Sequence, residues 1–266
     1  MQFLRRLFFF ALLLTTHAHA AESVSLRVMA LPDNRHLYYT KLLEAALRNA
    51  GYEPRFEWIA TAPQARIWRM LSDNDISLMW GVQTTERDTQ FASVTNNLTN
   101  GLIGQRVFLV KQGQEGAYAS VRSLDDLRAL GKVGGVGTGW FDAELWQLNK
   151  LPVLVKAGDW RLLFRMVASG DRNVDYVVRG INEIVNEARD HPGLAIESHL
   201  ILMHDRDMRF YLSPAATRYK SIIERALAQA DLDGLKKRTI AQYILPELET
   251  LQLDKRVKLK LVTPAP

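Results

Sequence analysis

The chain has 266 residues, a formal net charge of +5 and no cysteine. The absence of cysteine excludes disulfides, thiolate metal sites and a lipid-anchored cysteine near the amino terminus. The basic excess is mild and its clusters are short, as in Lys236-Lys237-Arg238, so we expect no nucleic-acid partner.

The first twenty residues have the three parts of a secretory signal peptide. The basic pair Arg5-Arg6 precedes an apolar run at 7–14, and Ala18-His19-Ala20 fits an A-x-A cleavage pattern. The apolar run is too short to span a bilayer. We therefore predict a signal peptide at 1–20 and a soluble mature chain in the periplasm, whose formal charge falls from +5 to +3 when Arg5 and Arg6 are removed.

The first part of the mature chain alternates strand and helix patterns. Alternating or apolar runs predict strands at 25–30, 55–60, 76–80 and 105–111, and helical spacing predicts helices at 36–50 and 65–71. A further helix at 123–130 begins with Ser123, which is expected to cap it, with Asp126 three positions on. Strands separated by helices pair in parallel through right-handed crossovers, so this series predicts an α/β lobe.

A second series of the same kind follows. Strands are predicted at 152–156, 174–178, 200–203, 209–212 and 257–262, and helices at 159–168, 181–189, 217–230 and 235–243. Extended segments near 104–112 and 200–212 join the two series. We therefore predict an α/β fold with two lobes and two hinge crossings, one lobe formed by 21–110 plus 206–266 and the other by 111–205. A ligand is expected between the lobes, beyond the carboxyl ends of the strands.

A glycine-rich stretch at 131–140, GKVGGVGTGW, opens the second lobe as a short strand breaking into a loop. The helical pattern FDAELWQLNK follows, and the start of a helix offers unpaired amide groups and a positive dipole end to an anion. Thr138 adds a hydroxyl group. The glycines fit neither a dinucleotide fingerprint nor a phosphate loop, so no cofactor is predicted. A tight turn that binds nothing is the alternative for this stretch.

The order of elements, the sequence TTERD at 84–88 and the stretches VGGVGTG and SGDRNVDYVVRG together resemble the family 3 extracellular solute-binding proteins. These type II periplasmic proteins typically deliver polar amino acids to ABC transporters. The resemblance covers nearly the whole mature chain. It implies that Thr84 and Arg87 match the family's T-x-x-R, whose arginine holds a ligand carboxylate. A planar guanidinium suits that role because it can donate two parallel hydrogen bonds.

The same resemblance assigns further ligand contacts. Gly137-Thr138 matches the family's G-T turn, so Thr138 and the amides of Gly139 and Trp140 are expected to bind the other carboxylate oxygen. Trp80 falls at the ligand-facing end of the third strand. The chain departs from the family at Gly180, where an aspartate usually holds the ligand's ammonium group, and in the short segment 31–35, which usually supplies an aromatic lid.

Arg179, beside Gly180, is expected to add positive potential to the cleft. Each assignment has a structural alternative. Arg87 is a surface cap in that alternative, Trp80 a core residue, and Arg179 the partner of Glu183 one helical turn on.

We therefore expect a solute-binding protein that closes on a small organic acid or an amino acid, acts as a monomer and serves an ABC permease. A sensor that docks on a membrane receptor is an alternative. The sequence has no nucleophile elbow, and no histidine spacing typical of a metal site, so neither catalysis nor a metal is predicted. A dehydratase-like enzyme using Glu183 or Glu187 as a general acid is the third possibility.

Overall fold

A computed structural model describes residues 22–30, 37–60, 62, 64–170 and 172–264, so the predicted signal peptide 1–20 and the segment 31–35 lie outside it. The described strands are β1 (Ser23–Met29), β2 (Glu53–Ile59), β3 (Leu78–Val82), β4 (Ala92–Ser93), β5 (Gln105–Lys111), β6 (Gly134–Gly137), β7 (Val153–Lys156), β8 (Tyr176–Gly180), β9 (Leu194–Ile196), β10 (Leu200–Met203), β11 (Met208–Leu212) and β12 (Val257–Lys260). The described helices are α1 (Leu37–Asn49), α2 (Gln64–Ser72), α3 (Thr85–Gln90), α4 (Leu124–Ala129), α5 (Phe141–Leu148), α6 (Leu162–Ser169), α7 (Ile181–Asp190), α8 (Lys220–Leu232), α9 (Leu235–Tyr243) and α10 (Leu245–Leu248). None of these helices has the length and apolarity needed to cross a lipid bilayer.

The first sheet has the strand order β2-β1-β3-β11-β4. β1 runs parallel to β2 and β3, while β11 runs antiparallel to β3. The alternation along β1 places Val24, Leu26 and Val28 in the core, as expected for a strand covered by helices. Helix α1 packs its buried leucines there and also contacts α8 and α9. This half of the molecule presents the carboxyl end of β3, where the T-x-x-R sequence begins.

The second sheet has the order β12-β10-β5-β8-β6-β7, with β9 paired to β5. β6 runs parallel to β7 and β8, as predicted for strands joined through helices. Its core is aromatic: the rings of Phe108 and Tyr176 stack at 4.0 Å, and the indole Nε1 of Trp146 donates to the Tyr176 hydroxyl at 2.9 Å. This packing fixes β6 and therefore the loop that leads from Gly137 into α5.

The two sheets with their helices confirm the predicted α/β fold with two lobes. The predicted crossings lie between β4 and β5 and between β10 and β11. The carboxyl-terminal segment adds a further passage, because α9 packs on α1 of the first sheet whereas β12 joins the second. The largest apolar cluster contains residues of both lobes, among them Leu42 from α1 and Ile184 from α7.

Sheet membership differs from the predicted division at two strands. β5 and β12 were placed with the first lobe, 21–110 plus 206–266, and both belong to the second sheet. β5 is apolar on both faces, so it needs partners and cover on both sides, and it pairs antiparallel with β8. β12 alternates Leu259 with exposed lysines, which suits an edge strand, and it pairs with β10. Whether the lobes move as two bodies stays a prediction.

Candidate functional site

The start of α3 holds Arg87 at the carboxyl end of β3. Thr84 is the N-cap residue, with extended backbone angles, and its hydroxyl accepts the Arg87 amide at 3.2 Å. The guanidinium Nη1 of Arg87 donates to the Val82 carbonyl at 2.5 Å, and its Cζ lies 4.9 Å from the centre of the Trp68 ring. Burial lowers the pKa of Arg87. The side chain is thus oriented by its own lobe.

Arg87 also reaches the second lobe. Its Nη2 donates to the Gly139 carbonyl at 3.2 Å, so the two lobes meet at this contact. Gly139 has a φ of +79°, which side chains with a Cβ rarely adopt, and this angle turns the chain from β6 into α5. Trp140 is the N-cap of α5 and makes no side-chain capping bond. The amide of Trp140 donates to the Gly137 carbonyl at 3.2 Å, so it closes the turn, and the expected contact of this amide with a ligand is corrected.

A cavity of about 330 Å³ lies between the two helix starts. Its wall is formed by Thr84, Glu86 and Arg87 beside α3, by Gly139, Trp140 and Glu144 beside α5, and by Arg206 and Pro264. Of the residues predicted to bind a ligand, the structure brings Thr84, Arg87, Gly139 and Trp140 to this cavity. The arrangement places a guanidinium of one lobe opposite the start of a helix in the other, and both kinds of group bind anions.

Thr138 is turned away from this role. Its hydroxyl donates to the Lys156 carbonyl at 3.1 Å, and its amide bonds the same oxygen, so Thr138 ties the loop to the end of β7. The sequence assigned the hydroxyl to the ligand because of the G-T pattern. That pattern predicts a turn, but the direction of the hydroxyl is set by its hydrogen bond to the end of the parallel strand β7.

Trp80 lies in the core and does not line the cavity. Only 3% of its surface is exposed, and its ring stacks on Tyr39 with centroids 5.1 Å apart. It belongs to the largest apolar cluster. The expectation of a ligand contact at Trp80 is therefore corrected in favour of the core alternative, because α1 covers this face of β3.

Arg179 supplies no uncompensated charge to the cleft. The expectation that it adds positive potential there is therefore corrected. Its Nε and Nη2 donate to the two Glu187 carboxylate oxygens at 2.5 and 2.7 Å, and Glu183 lies 3.1 Å from Nη2. Its Cζ is 4.9 Å from the Trp140 ring and 4.8 Å from the Trp160 ring. Burial alone lowers the pKa of Arg179, but the two carboxylates outweigh burial and raise it. Arg179 therefore packs against the Trp140 ring and helps to hold it in place.

At Gly180, the position where relatives have an ammonium-binding aspartate, an added side chain would crowd two neighbouring side chains. A Cβ there would lie 2.7 Å from Asn182 Oδ1 and 2.9 Å from Arg106 Nη1. Arg106 is itself held by Asp142, with its Nε 2.6 Å from one carboxylate oxygen. Asp142 lies in the first turn of α5, so this buried pair anchors the start of α5 to β5. The space of the family's aspartate is filled by an arginine.

Sequence reasoning missed Arg206, which lies between β10 and β11 and lines the cavity. Its Nη1 donates to Gln83 Oε1 at 2.9 Å, and its Nη2 donates to the Pro264 carbonyl. The neighbouring Asp207 is 4% exposed and accepts the Thr99 amide at 2.9 Å, which ties the two hinge segments together. In the sequence, the charged triplet Asp205-Arg206-Asp207 between two apolar strands is the feature that could have indicated Arg206 as a candidate.

No protein-family model matches the sequence, and no curated protein matches it. Solved structures do. An ancestral arginine-binding protein bound to arginine is 19% identical with a TM-score of 0.57, over 82% of this chain and 97% of that one. An arginine-specific periplasmic binding protein of Salmonella typhimurium is 13% identical with a TM-score of 0.58, over 84% and 100%. The GluR0 ligand-binding core of Nostoc punctiforme, in complex with L-glutamate, is 17% identical with a TM-score of 0.54, over 84% and 98%.

These likenesses define the fold. The chain has the two-lobed type II fold of amino-acid-binding periplasmic proteins, and the resemblance to the family 3 solute-binding proteins is confirmed at the level of the fold. Identities of 13–19% do not extend this statement to a ligand.

Proposed function

We propose that the chain is an exported solute-binding protein that closes its two lobes on a small carboxylate-bearing ligand and delivers it to an ABC transporter. The ligand is an amino acid or a related organic anion. The observation that carries the proposal is Arg87, which lines the cavity from the first lobe while its Nη2 touches Gly139 of the second.

The donor inventory of Arg87 supports carboxylate binding. A guanidinium has five N–H donors, and two of these are used by the carbonyls of Val82 and Gly139 in this structure. Up to three donors are left for a ligand, enough for a bidentate pair with a carboxylate. Since the opposite wall is the start of α5, a carboxylate placed between them would be bound by both lobes at once.

An α-amino group is not required by this site. The position used for it by relatives is Gly180, where a Cβ would lie 2.7 Å from Asn182 Oδ1 and 2.9 Å from Arg106 Nη1, so a carboxylate side chain there requires both groups to shift. Glu183 and Glu187, the nearest acids on α7, are engaged by Arg179. The same engagement argues for binding without catalysis, because a general acid must be able to reach its substrate.

A thermal-shift screen of the mature protein tests the proposal, with amino acids, hydroxy acids, dicarboxylates and cyclic acids as ligands. A binding ligand stabilises by mass action, by about 2.7 kcal/mol at a hundredfold excess over Kd. We expect carboxylates to raise Tm in the wild type, and Arg87→Ala to lose at least tenfold in affinity. Arg87→Lys should not restore binding, because an ammonium cannot form the planar pair. Arg225→Ala, an exposed arginine on α8, is the matched control.

If no carboxylate shifts Tm, or if Arg87→Ala and Arg225→Ala bind equally well, the proposal is wrong. Transport is tested separately, in the producing bacterium. Deletion of the gene should abolish high-affinity uptake of the ligand found in the screen. Unchanged uptake together with loss of a transcriptional or motility response would establish the sensing alternative. Mass spectrometry of the periplasmic fraction should show a chain that begins at Ala21.

A further inference from the structure

We infer that Arg206 is a second ligand-binding cation and that the site selects a small dianion, with one carboxylate on Arg87 and the other on Arg206. This inference rests on the proposed function and specifies its ligand. It concerns the hinge segment between β10 and β11, which no motif in the sequence assigns to a ligand.

Arg206 lines the same cavity as Arg87, and its side chain is 11% exposed. Its guanidinium is held in the cavity wall by hydrogen bonds to two neutral acceptors, the Gln83 amide oxygen at 2.9 Å and the Pro264 carbonyl. Gln83 is held in turn by its Nε2, which donates to Asp88 Oδ2 at 2.6 Å. Because Gln83 and Asp88 flank the T-x-x-R sequence, these hydrogen bonds link Arg206 to the segment that carries Arg87.

The arginines around the cleft differ in what balances their charge. Three of them contact a carboxylate. Arg106 lies 2.6 Å from Asp142, and Arg179 lies 2.5 Å from Glu187. Arg209 lies 3.1 Å from Asp88. Arg206 is 3.7 Å from Asp205, whose side chain is 67% exposed, so water screens that pair. Among the described residues, no carboxylate is in ion-pair contact with Arg87.

Two largely desolvated guanidinium groups thus share one cavity, while their protein contacts are mainly with neutral oxygens. Desolvating a cation is unfavourable unless an anion or a full set of hydrogen bonds replaces the lost water. Closure of the lobes increases that penalty for both arginines, and a ligand with two negative charges removes it for both. A monoanion would leave one of them uncompensated.

The acids on the rim do not serve as these counter-ions. Glu86 and Glu144 line the cavity but are exposed, and neither is in ion-pair contact with Arg206 among the described residues. Their charges are screened by solvent at the mouth. With a volume of about 330 Å³, the cavity suits a compact diacid.

The test compares matched acids that differ by one carboxylate: succinate against butyrate, and glutarate against valerate, titrated calorimetrically into wild-type protein. We expect the better diacid to bind at least tenfold more tightly than its monoacid. In Arg206→Gln that ratio should fall to about one. Arg206→Lys should keep part of the ratio, and Arg225→Gln, which removes the same charge from α8, should keep all of it.

Equal binding of diacid and monoacid by the wild type overturns the inference, as does a ratio that survives in Arg206→Gln. Both results leave the proposed function standing if binding still depends on Arg87, so the two failures are distinguishable. Failure of all four acids to bind also overturns the inference, whereas the proposed function is then decided by the wider screen that includes amino acids. The Tm of each ligand-free variant shows whether it is folded. If Arg206→Gln is not folded, the ratio of diacid to monoacid affinity is taken from Arg206→Lys.

Discussion

At the scale of single residues, Arg87 and Arg179 differ in what neutralises them. Arg87 bonds the carbonyls of Val82 and Gly139 and has donors to spare. Arg179 is enclosed by two carboxylates and two tryptophan rings. The first arrangement suits a residue that waits for an anion, and the second suits a residue that stabilises the fold around Trp140.

Arg179→Ala is expected to lower the free energy of unfolding by about 3–5 kcal/mol, because it leaves the Glu187 carboxylate buried and unpaired. The Glu187 side chain is 2% exposed, so water cannot replace the lost partner. Urea denaturation of Arg179→Ala and of the double variant Arg179→Met with Glu187→Met measures the effect. The double variant should recover much of the loss. A loss below about 1 kcal/mol for Arg179→Ala would show that the pair is not buried in solution.

His204, in the hinge, gives a pH dependence. Burial, followed by the nearby charge of Arg106, lowers its pKa from 6.5 to about 3. Between these values the unfolded chain binds a proton that the folded chain does not, so stability is full above pH 6.5 and is lost as pH falls toward 3. The contribution reaches at most about 1.4 kcal/mol per pH unit.

His204→Gln, which cannot titrate, should flatten the stability curve by that slope. Urea denaturation between pH 6.5 and pH 5 is the window to use, since most carboxylates titrate below it. Identical slopes in variant and wild type would contradict a buried neutral histidine at this position.

The sequence indicated a local partner for Arg179 only as the alternative to a ligand contact, and the alternative is what the structure shows. Pairing of Arg179 with Glu183 follows from their spacing, and the structure shows it. Glu187 lies eight positions away, across the boundary between β8 and α7, and no spacing rule covers that contact. Gly180 was recognised as a departure from the family. The arginine that fills its space comes from β5, which is distant in sequence.

At the scale of elements, the helix starts determine the site. Ser123 and Asp126 were predicted to open α4, and the structure shows a full capping box there. α3 is short and polar, so it has no apolar periodicity from which a helix could be predicted. Its cap Thr84 lies in the cavity wall and fixes the backbone of Arg87.

Thr84→Ala and Ser123→Ala form a matched pair of cap removals. Each is expected to lower the free energy of unfolding by about 1 kcal/mol, the usual effect of losing a side-chain cap. Only Thr84→Ala should also weaken carboxylate binding, because only α3 carries Arg87. Thr84→Ser keeps the cap oxygen and should restore both properties. Denaturation and calorimetric titration of the same preparations provide the comparison. Equal effects of the two alanine variants on affinity would refute a positioning role for Thr84.

At the scale of the whole molecule, sequence patterns predicted both α/β series but not their final assembly. The alternation VKLK predicted a strand at the carboxyl terminus, yet nothing local to it says which sheet it joins. It joins β10 in the second sheet, and the chain then runs to Pro264 in the cavity wall. Pro264 therefore contacts Arg206, and this contact could not be predicted from the sequence.

The central claim is that a ligand carboxylate lies between Arg87 of one lobe and the start of α5 of the other. A double-mutant cycle measures this contact directly. Wild type and Arg87→Ala are each titrated with the ligand found by screening and with an analogue whose carboxylate is replaced by a neutral amide. The account predicts a coupling of about 1.5–3 kcal/mol, the usual strength of a hydrogen bond to a charged group. The amide should bind both proteins almost equally. If the two changes are additive, so that Arg87→Ala weakens carboxylate and amide by the same factor, Arg87 does not hold the carboxylate and the account is contradicted.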